Sequence, residues 1–409
     1  MTAPATRRAI AALTAQGAEV RFVGGCVRDA LLGRAVKDVD IATHDAPEIV
    51  LALLAAAGIE AIPTGIAHGT VTAVIGADHF EITTLRRDVE TDGRRAKVAF
   101  TDDWAEDAAR RDLTINAIFA SPDGVLFDPF GGVEDLGAGR IRFVGEARTR
   151  IQEDVLRLLR FFRFYVHYGK PPMDDDARAA CRELAPLLPT LSGERVAAET
   201  LKLLSAADPA PTVALMQEDG VVGHFLPEAG DVAVLRALVT VEGLSLGSDP
   251  WRRLASLIDP AHGEQGARSV AERWHLSNQE RVRLIQLAGT GPEIDAETAE
   301  AARRLLLYRL GAAAFRDLTL LAWARSIAAQ GPSSRRAAEA WQAHLAAAAA
   351  WQPLSLPVKG KDALALGLLE GPEIGRLMAS LEAWWIEKDF RPDRAACLEK
   401  LEALARALI

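Results

Sequence analysis

The sequence lacks the signatures of several protein classes. Its 409 residues include only three cysteines, Cys26, Cys181 and Cys397. They are far apart, odd in number and without Cys-x-x-Cys or Cys/His spacing, so neither a disulfide framework nor a zinc site is indicated, and they read as buried small residues. No run of eighteen apolar residues occurs, and Met1 to Arg8 leads into a short alanine-rich stretch without a signal-peptide core. A cytoplasmic chain with no membrane partner is expected. The eight histidines are scattered, and His44-Asp45 has no partner histidines at the spacing of a metal-dependent phosphohydrolase. There is no internal repeat. A basic excess is missing too: 47 Lys+Arg stand against 56 Asp+Glu, a net charge of −9, which on its face weighs against a polyanionic partner.

What is present is an ordinary globular composition, 49% hydrophobic and 25% charged, long enough for several domains. The acidity lies entirely in the first 240 residues, and residues 241–409 balance. Up to about residue 145, short β-rich runs (20–23, 39–42, 70–75, 80–83) alternate with helical stretches such as Pro47 to Ala57. From Ile151 the periodicity is helical, cut at Gly169 to Pro172, Asp208 to Pro211, Asp249-Pro250, Gly289 to Pro292, Gly331-Pro332 and Pro353 to Pro357. The pattern predicts an α+β head on an all-α body.

Phe22-Val23-Gly24-Gly25-Cys26-Val27-Arg28-Asp29 is a strand entering two glycines and then a helix from Val27 to Leu32. Gly24 and Gly25 let the backbone turn sharply and approach a ligand, so that N–H groups can hold phosphate oxygens, with Arg28 as a charged donor. The same pattern taken alone is equally a plain turn. Ten residues on, Asp38-Val39-Asp40-Ile41 has a strand's alternation, which puts both carboxylates on one face. Two anions aimed at one place repel and lose solvation unless a cation sits between them, and hard oxygen ligands suit Mg²⁺. A third acid favours that reading over a wet sheet edge: Glu81 alternates with Phe80 and Ile82 on a further strand. Three strand-borne carboxylates after a phosphate-holding turn are what a two-metal phosphoryl-transfer centre needs.

Gly24-Gly25-x-Val27-Arg28-Asp29-x-Leu31-Leu32-Gly33-Arg34 followed by Asp38-x-Asp40 closely resembles the signature of the class II tRNA nucleotidyltransferase and bacterial poly(A) polymerase family, within the polymerase-β-like superfamily. Thr64 to Val71 looks like the family's second turn, with His68 read as a structural histidine. Ala109 to Ala117 matches its RRDxTINA motif, which implies Arg111 as a nucleotide contact, Asp112 in the sugar and nucleotide environment and Asn116 as support. Asp128-Pro129-Phe130-Gly131-Gly132 matches the segment that closes the head. The resemblance implies a nucleotidyltransferase head (mixed β-sheet with helices) at 1–145, a helical neck for base recognition at 146–207, a helical body at 208–330 and a helical tail that binds tRNA at 331–409.

Glu153 to Phe164 reads as one strong helix on which Asp154, Arg157, Arg160 and Arg163 recur every third position. Such spacing is commonly a salt-bridged surface helix; the match to the family's EDxxRxxRxxRF motif points to function. Cytosine and adenine both present an amine donor beside a ring-nitrogen acceptor, whereas uracil and guanine present a carbonyl beside a ring N–H. A carboxylate and a guanidinium, Asp154 and Arg157, therefore suit C and A. Arg160 and Arg163 fit triphosphate or primer contacts. Ser192 is expected to cap a helix whose Glu194-Arg195 braces the neck. In the tail, Val358 to Gly367 and Gly371 to Arg376 offer glycines for phosphate approach. Leu85 to Phe100 reads as a charged, mobile excursion; the resemblance to family members that add CCA with the help of a loop here implies full CCA addition.

The expected activity is therefore Mg²⁺-dependent addition of C, C and A from CTP and ATP to the tRNA 3′ end. The alternative is a poly(A) polymerase; a CC-adding or A-adding enzyme, or a binding protein with an inactive head, are more distant readings. The arginine pairs Arg252-Arg253, Arg303-Arg304 and Arg335-Arg336 are expected to offer tRNA a basic face in the helical part. RNA affinity should be modest, carried by the helical part and lost steeply as salt rises. Titration of tRNA at low and high ionic strength checks this, and an affinity indifferent to salt would overturn it.

Overall fold

Apolar residues of opposite parity along the N-terminal strands pack into different cores, and this two-sidedness builds the head. The computed structural model describes residues 1–92, 95–244, 247–289, 291–366 and 371–406, with the side chains of 88–97 left aside. The first elements are α1 (Pro4–Leu13), β1 (Val20–Val23), α2 (Gly25–Leu31), β2 (Val39–Thr43), α3 (Pro47–Ala56), β3 (Glu60–Gly65), β4 (Thr70–Ile75) and β5 (Asp78–Thr84). Then come β6 (Arg86–Asp92), β7 (Arg95–Phe100), α4 (Trp104–Ala109), β8 (Phe119–Ala120), β9 (Leu126–Phe127) and α5 (Gly132–Ala138).

Seven strands form one mixed sheet in the order β3-β4-β5-β2-β1-β8-β9. Only the β2–β5 neighbours run parallel, joined through α3 and the β3–β4 pair, as a parallel pairing requires a long crossover. Phe22, Ile41, Phe80 and Ile82 pack with Ala9 and Leu13 of α1 and Val50 and Leu54 of α3. Their neighbours Val23, Ala42 and Phe119 enter a second core with Trp104 and Ala108 of α4. Strand alternation thus divides the two faces.

The charged excursion is an antiparallel hairpin: β6 and β7 pair from Arg86 opposite Phe100 to Asp92 opposite Arg95, apart from the main sheet. The dipeptide Asp92-Gly93 is the sequence signal for such pairing; Gly93 and Arg94 lie outside the described residues. So does Gly367 of the expected tail motif.

The neck comprises α6 (Ala147–Glu153), α7 (Leu156–Tyr168), α8 (Asp175–Leu184) and α9 (Gly193–Leu204). The single helix expected from Glu153 onward is two: Asp154 is extended, with φ −151° and ψ 105°. Its carboxylate accepts from the Leu156 N–H at 3.2 Å, the local bond by which an aspartate competes with helix continuation. Ser192 stands at the N-cap of α9, but its side chain makes no capping bond there.

By contacts the chain divides into residues 1–232 with 248–282, and 233–247 with 283–409. In the second unit a tail core gathers Val358, Leu377, Leu381, Trp385, Cys397 and Leu401. All three cysteines are buried and free. Among the described residues no helix is long and apolar enough to cross a membrane. The basic face expected of Arg252-Arg253 is absent: the two are 1% and 2% exposed. Arg253 donates to the carbonyls of Leu204 at 2.6 Å, Ala206 and Ala207, satisfying and neutralising the C-terminal end of α9. In the second unit Arg304 pairs with Asp389 and Glu300, while Arg335 and Arg336 are exposed.

The segment that closes the head turns on Gly132. Its N–H and that of Val133 each donate to Asp128 at 2.8 Å. A Cβ on Gly132 would lie 2.2 Å from the Thr114 carbonyl oxygen and 2.9 Å from Ile118 Cγ1, whereas one on Gly137 in the same helix would meet nothing within 4 Å. Gly132→Ala is expected to destabilise the protein by about 2 kcal/mol or more, and Gly137→Ala to be neutral or to stabilise it by up to about 1 kcal/mol. Denaturant unfolding of the two variants checks the contrast, and equal effects would refute it.

Candidate active site

The parallel register of β2 and β5 sets Asp40 opposite Glu81. Adjacent strands lie about 4.8 Å apart, and both residues have the parity of the face away from Ile41 and Ile82. Asp38 sits one residue before β2 rather than on it, and is exposed. Burial pushes the Asp40 carboxyl up to about 6, and the adjacent Glu81 charge adds to the rise; Arg111 opposes it and Asp38 reinforces it. These acids are therefore near enough to feel one another. Among the described residues, no three metal-ligating side chains stand close enough to form a ready-made cage. Mg²⁺ is ordinarily held by one or two carboxylates, with phosphates and water completing its shell, so this crowded acidic edge fits it.

The glycine turn lies beside them in sequence and is tied to β8. Gly24 has φ 71° and ψ −126°, a conformation open to glycine. Its N–H donates to the Ile118 carbonyl at 3.2 Å, and a Cβ on it would stand 3.5 Å from Arg111 Nη1. Gly25 begins α2. Arg28 is 7% exposed. It grips Asp29 with Nε at 3.0 Å and Nη2 at 3.1 Å, and donates from Nη1 to Asn116 Oδ1 at 2.7 Å. Its guanidinium lies over the Tyr168 ring at 4.2 Å, and the Tyr168 hydroxyl donates to Asp29 at 2.9 Å.

Asn116 continues the network, donating from Nδ2 to Asp112 Oδ1 at 3.0 Å. Asp112 also accepts from the Leu113 N–H at 2.9 Å and from Arg160 Nε at 2.7 Å. Burial works against the Asp112 charge, but Arg160, Asn116 and the Leu113 N–H outweigh it and hold the carboxyl down at about 2. Arg111 is held by Asp107, with Nη2 at 3.0 Å and Nε at 3.3 Å from Oδ2. Asp107 is 1% exposed, and its other oxygen takes Arg110 Nε at 2.7 Å. Burial would raise the Asp107 carboxyl, yet Arg111 and Arg110 keep it below its ordinary value.

The neck arginines reach different partners. Arg157 donates to Glu153, to the Arg150 carbonyl at 3.1 Å and to the Arg110 carbonyl at 3.2 Å. Asp154 accepts Arg195 Nη2 on both oxygens, at 3.1 and 2.8 Å. Arg163 Nε lies 3.0 Å from Glu199 and its guanidinium 4.3 Å above the Phe164 ring. Network members to which the sequence reading gave no role are Asp107, Asp29 and Tyr168. Asp107 had a signal: it precedes Arg110 and Arg111 by three and four residues, the spacing of helical ion pairs. Tyr168 had none, because its partner lies 139 positions away.

The family described as "Poly A polymerase head domain" matches residues 20–142, and that described as "Probable RNA and SrmB- binding site of polymerase A" matches residues 172–231. CCA tRNA nucleotidyltransferase 1, mitochondrial, of Mus musculus is 34% identical over 389 residues, covering 94% of this chain and 86% of the mouse protein. The protein of the same name from Danio rerio is 46% identical over 222 residues, 53% of this chain; that match spans only about half, 52%, of the zebrafish protein. The solved structure of the Bacillus stearothermophilus CCA-adding enzyme in complex with CTP matches with a TM-score of 0.75 and 27% identity, covering 100% of this chain and 99% of that one.

The crowding at Asp40 has a thermodynamic consequence. Its carboxyl is raised, so the ionised folded form is disfavoured, and the penalty is present above about pH 6 and fades as pH falls through that value. In chelator-containing buffer at pH 8, Asp40→Asn is expected to stabilise the protein by about 1–2 kcal/mol after allowance for solvent screening, with the gain shrinking towards pH 5. Thermal unfolding across this range checks it; a destabilised variant at pH 8 would refute it.

Proposed function

This chain belongs to the family of poly(A) polymerases and CCA tRNA nucleotidyltransferases, and we propose that it adds C, C and A to the 3′ end of tRNA from CTP and ATP without a nucleic-acid template. The observation that carries the reading is the register of Asp40 with Glu81 beside Asp38, next to the Gly24-Gly25 turn. Asp38 and Asp40 would hold Mg²⁺, with Glu81 supporting the site. An ion held there would supply Lewis-acid activation for the RNA 3′-hydroxyl that attacks the nucleotide α-phosphate, and positive charge for the triphosphate and the departing pyrophosphate.

The protein's own residues orient the reactants. The Gly24-Gly25 turn brings the backbone close to phosphate, with the Gly25 N–H at the start of α2 as donor since that of Gly24 is held by Ile118; Arg111 contacts the nucleotide, and the Arg28–Asn116–Asp112–Arg160 chain fixes the wall around the sugar. Asp154 accepts from the exocyclic amine of C or A, and Arg157 donates to the ring nitrogen beside it. Both keep capacity for this. A carboxylate has about four acceptor sites. The Arg157 bonds within the described residues come from its two Nη groups, so Nε–H remains for the base. Uracil and guanine would set carbonyl against carboxylate and N–H against guanidinium, a mismatch of the kind that costs about 10⁴-fold. Arg195 holds Asp154 from behind, and Arg160 and Arg163 line the approach of triphosphate or primer.

A poly(A) polymerase is the second reading, favoured by the name of the matching head domain. One experiment separates the two: tRNA truncated before CCA is incubated with Mg²⁺ and each nucleotide singly, and unstructured RNA is incubated with ATP. The expected outcome is two C residues from CTP, one A on tRNA ending in CC, and no long A tract. UTP or GTP incorporation at rates like those of CTP and ATP would overturn the Asp154 and Arg157 assignment. Labelled nucleotide still incorporated by the Asp38→Asn/Asp40→Asn double variant would overturn the metal assignment.

A further inference from the structure

One buried carboxylate outside the residues assigned above, Asp107, is bonded to the hairpin, to Arg110 and to Arg111, the arginine assigned to the nucleotide. Asp107 lies on α4, and its Oδ1 accepts the backbone N–H of Arg86 at 3.2 Å as well as Arg110 Nε, while Oδ2 accepts both Arg111 donors. Four donors use the whole acceptor capacity of one carboxylate. Arg86 is the first residue of the β6–β7 hairpin, and its side chain reaches the His68 carbonyl. The other foot of the hairpin stands on the same helix: the hydroxyl of Thr101, which follows β7, donates to Glu106 at 2.5 Å, and Arg87 of β6 lies 3.9 Å from the same carboxylate.

On the opposite side of the Arg110-Arg111 pair, neck arginines hold the backbone. Arg150 Nη2 donates to the Arg110 carbonyl and, at 2.6 Å, to that of Arg111; Arg157 Nη2 reaches the Arg110 carbonyl at 3.2 Å. The two arginines are thus clamped by their side chains to Asp107 and by their carbonyls to the neck. A carboxylate buried to 1% exposure for this purpose is costly to desolvate, and a well-packed apolar residue would serve stability as well.

We propose that Asp107 is a positioning residue for nucleotide binding: it fixes Arg111 at the incoming nucleotide and couples the placement of the β6–β7 hairpin to Arg111 and Arg157. The assignment rests on the nucleotidyltransferase reading and adds to it the residue through which the hairpin acts. Asparagine at this position keeps the shape but turns an amide donor towards a guanidinium that has only donors, so Arg111 is released while the rest of α4 is retained.

The test measures KM and kcat for CTP on tRNA lacking CCA and for ATP on tRNA ending in CC. It uses Asp107→Asn, Arg111→Ala and the double variant, each with its thermal midpoint. Asp107→Asn is expected to raise KM about tenfold or more with a smaller change in kcat, and to change KM by less than about threefold further in the Arg111→Ala background. A purely structural role would give additive losses in the two backgrounds, and that result overturns the proposal. So does an unchanged KM in folded Asp107→Asn. Thr101→Val loosens the other hairpin foot without touching Asp107 and is expected to raise KM several-fold; no change there overturns the hairpin coupling, even if Asp107→Asn fails to fold. Failure of the unaltered protein to incorporate CTP or ATP would instead refute the nucleotidyltransferase reading and leave the contact geometry of Asp107 as it stands.

Discussion

The parallel pairing of β2 with β5 is the constraint on which the head depends, because it cannot be made without bringing Asp40 and Glu81 side by side. Shifting the register by one residue would separate them, but would also turn Ile41 or Ile82 out of the core they share with α1 and α3. Hydrophobic burial therefore enforces an electrostatic arrangement that is unfavourable by itself, as the elevated Asp40 carboxyl shows. Local strain of this kind persists only where the surrounding packing over-determines it. A cation placed at this edge would turn repulsion into attraction, which is why the unfavourable arrangement and the proposed chemistry are one feature.

Around that edge, helix α7 is attached to the head at two points by a closed circuit. Arg160 binds Asp112, Asp112 binds Asn116, Asn116 binds Arg28, Arg28 binds Asp29, and Asp29 receives the hydroxyl of Tyr168 on the same helix. Arg160 and Tyr168 are eight residues apart, about 12 Å along a helix rising 1.5 Å per residue. Two anchors at that separation fix rotation and tilt as well as distance. Arg157, less than one turn before Arg160, inherits its orientation from the circuit and its reach from the Arg110 carbonyl. The base reading proposed for one carboxylate and one guanidinium would demand this precision, since a misplaced donor no longer distinguishes a ring nitrogen from a ring N–H.

Much of this was legible in the sequence, for reasons that differ by element. Period-two alternation located β1, β2, β4 and β5, and the Pro/Gly breaks located the ends of α7 and α9, because both signals are local. Membership of Asp40 and Glu81 in one site was also inferable from their shared parity. The short strands β8 and β9 and the edge strand β3 were not, since two-residue strands carry no period and β3 is largely exposed. The break at Asp154 was hidden by strong helical periodicity on both sides of it. What the sequence could not convey was pairing at long range. Arg28 with Asn116 spans 88 positions and Arg195 with Asp154 spans 41, and neither residue type names its partner.

The same limit explains why net charge misleads. A formal charge of −9 treats every ionisable group as part of the surface. Among the described residues, seven acidic side chains are buried (Asp107, Asp112, Asp135, Glu199, Glu228, Glu242 and Asp317) against four arginines (Arg28, Arg150, Arg252 and Arg253). Groups so buried are spent on internal pairs and helix ends and contribute little to the field that a polyanion meets. Most of these acids pair with arginines that are only partly buried, such as Asp112 with Arg160 and Glu199 with Arg163, so the pairs cancel and the net charge says little about where it is felt; Asp40 and Glu81 belong to an edge suited to a cation rather than to a repulsive surface. Arginine pairs in a sequence are equally poor markers of a nucleic-acid face: Arg252 and Arg253 are both buried, with Arg253 serving a helix terminus, whereas Arg335-Arg336 is exposed. Attraction to RNA is therefore decided by which arginines the fold leaves outside, a quantity fixed by packing and only afterwards by charge.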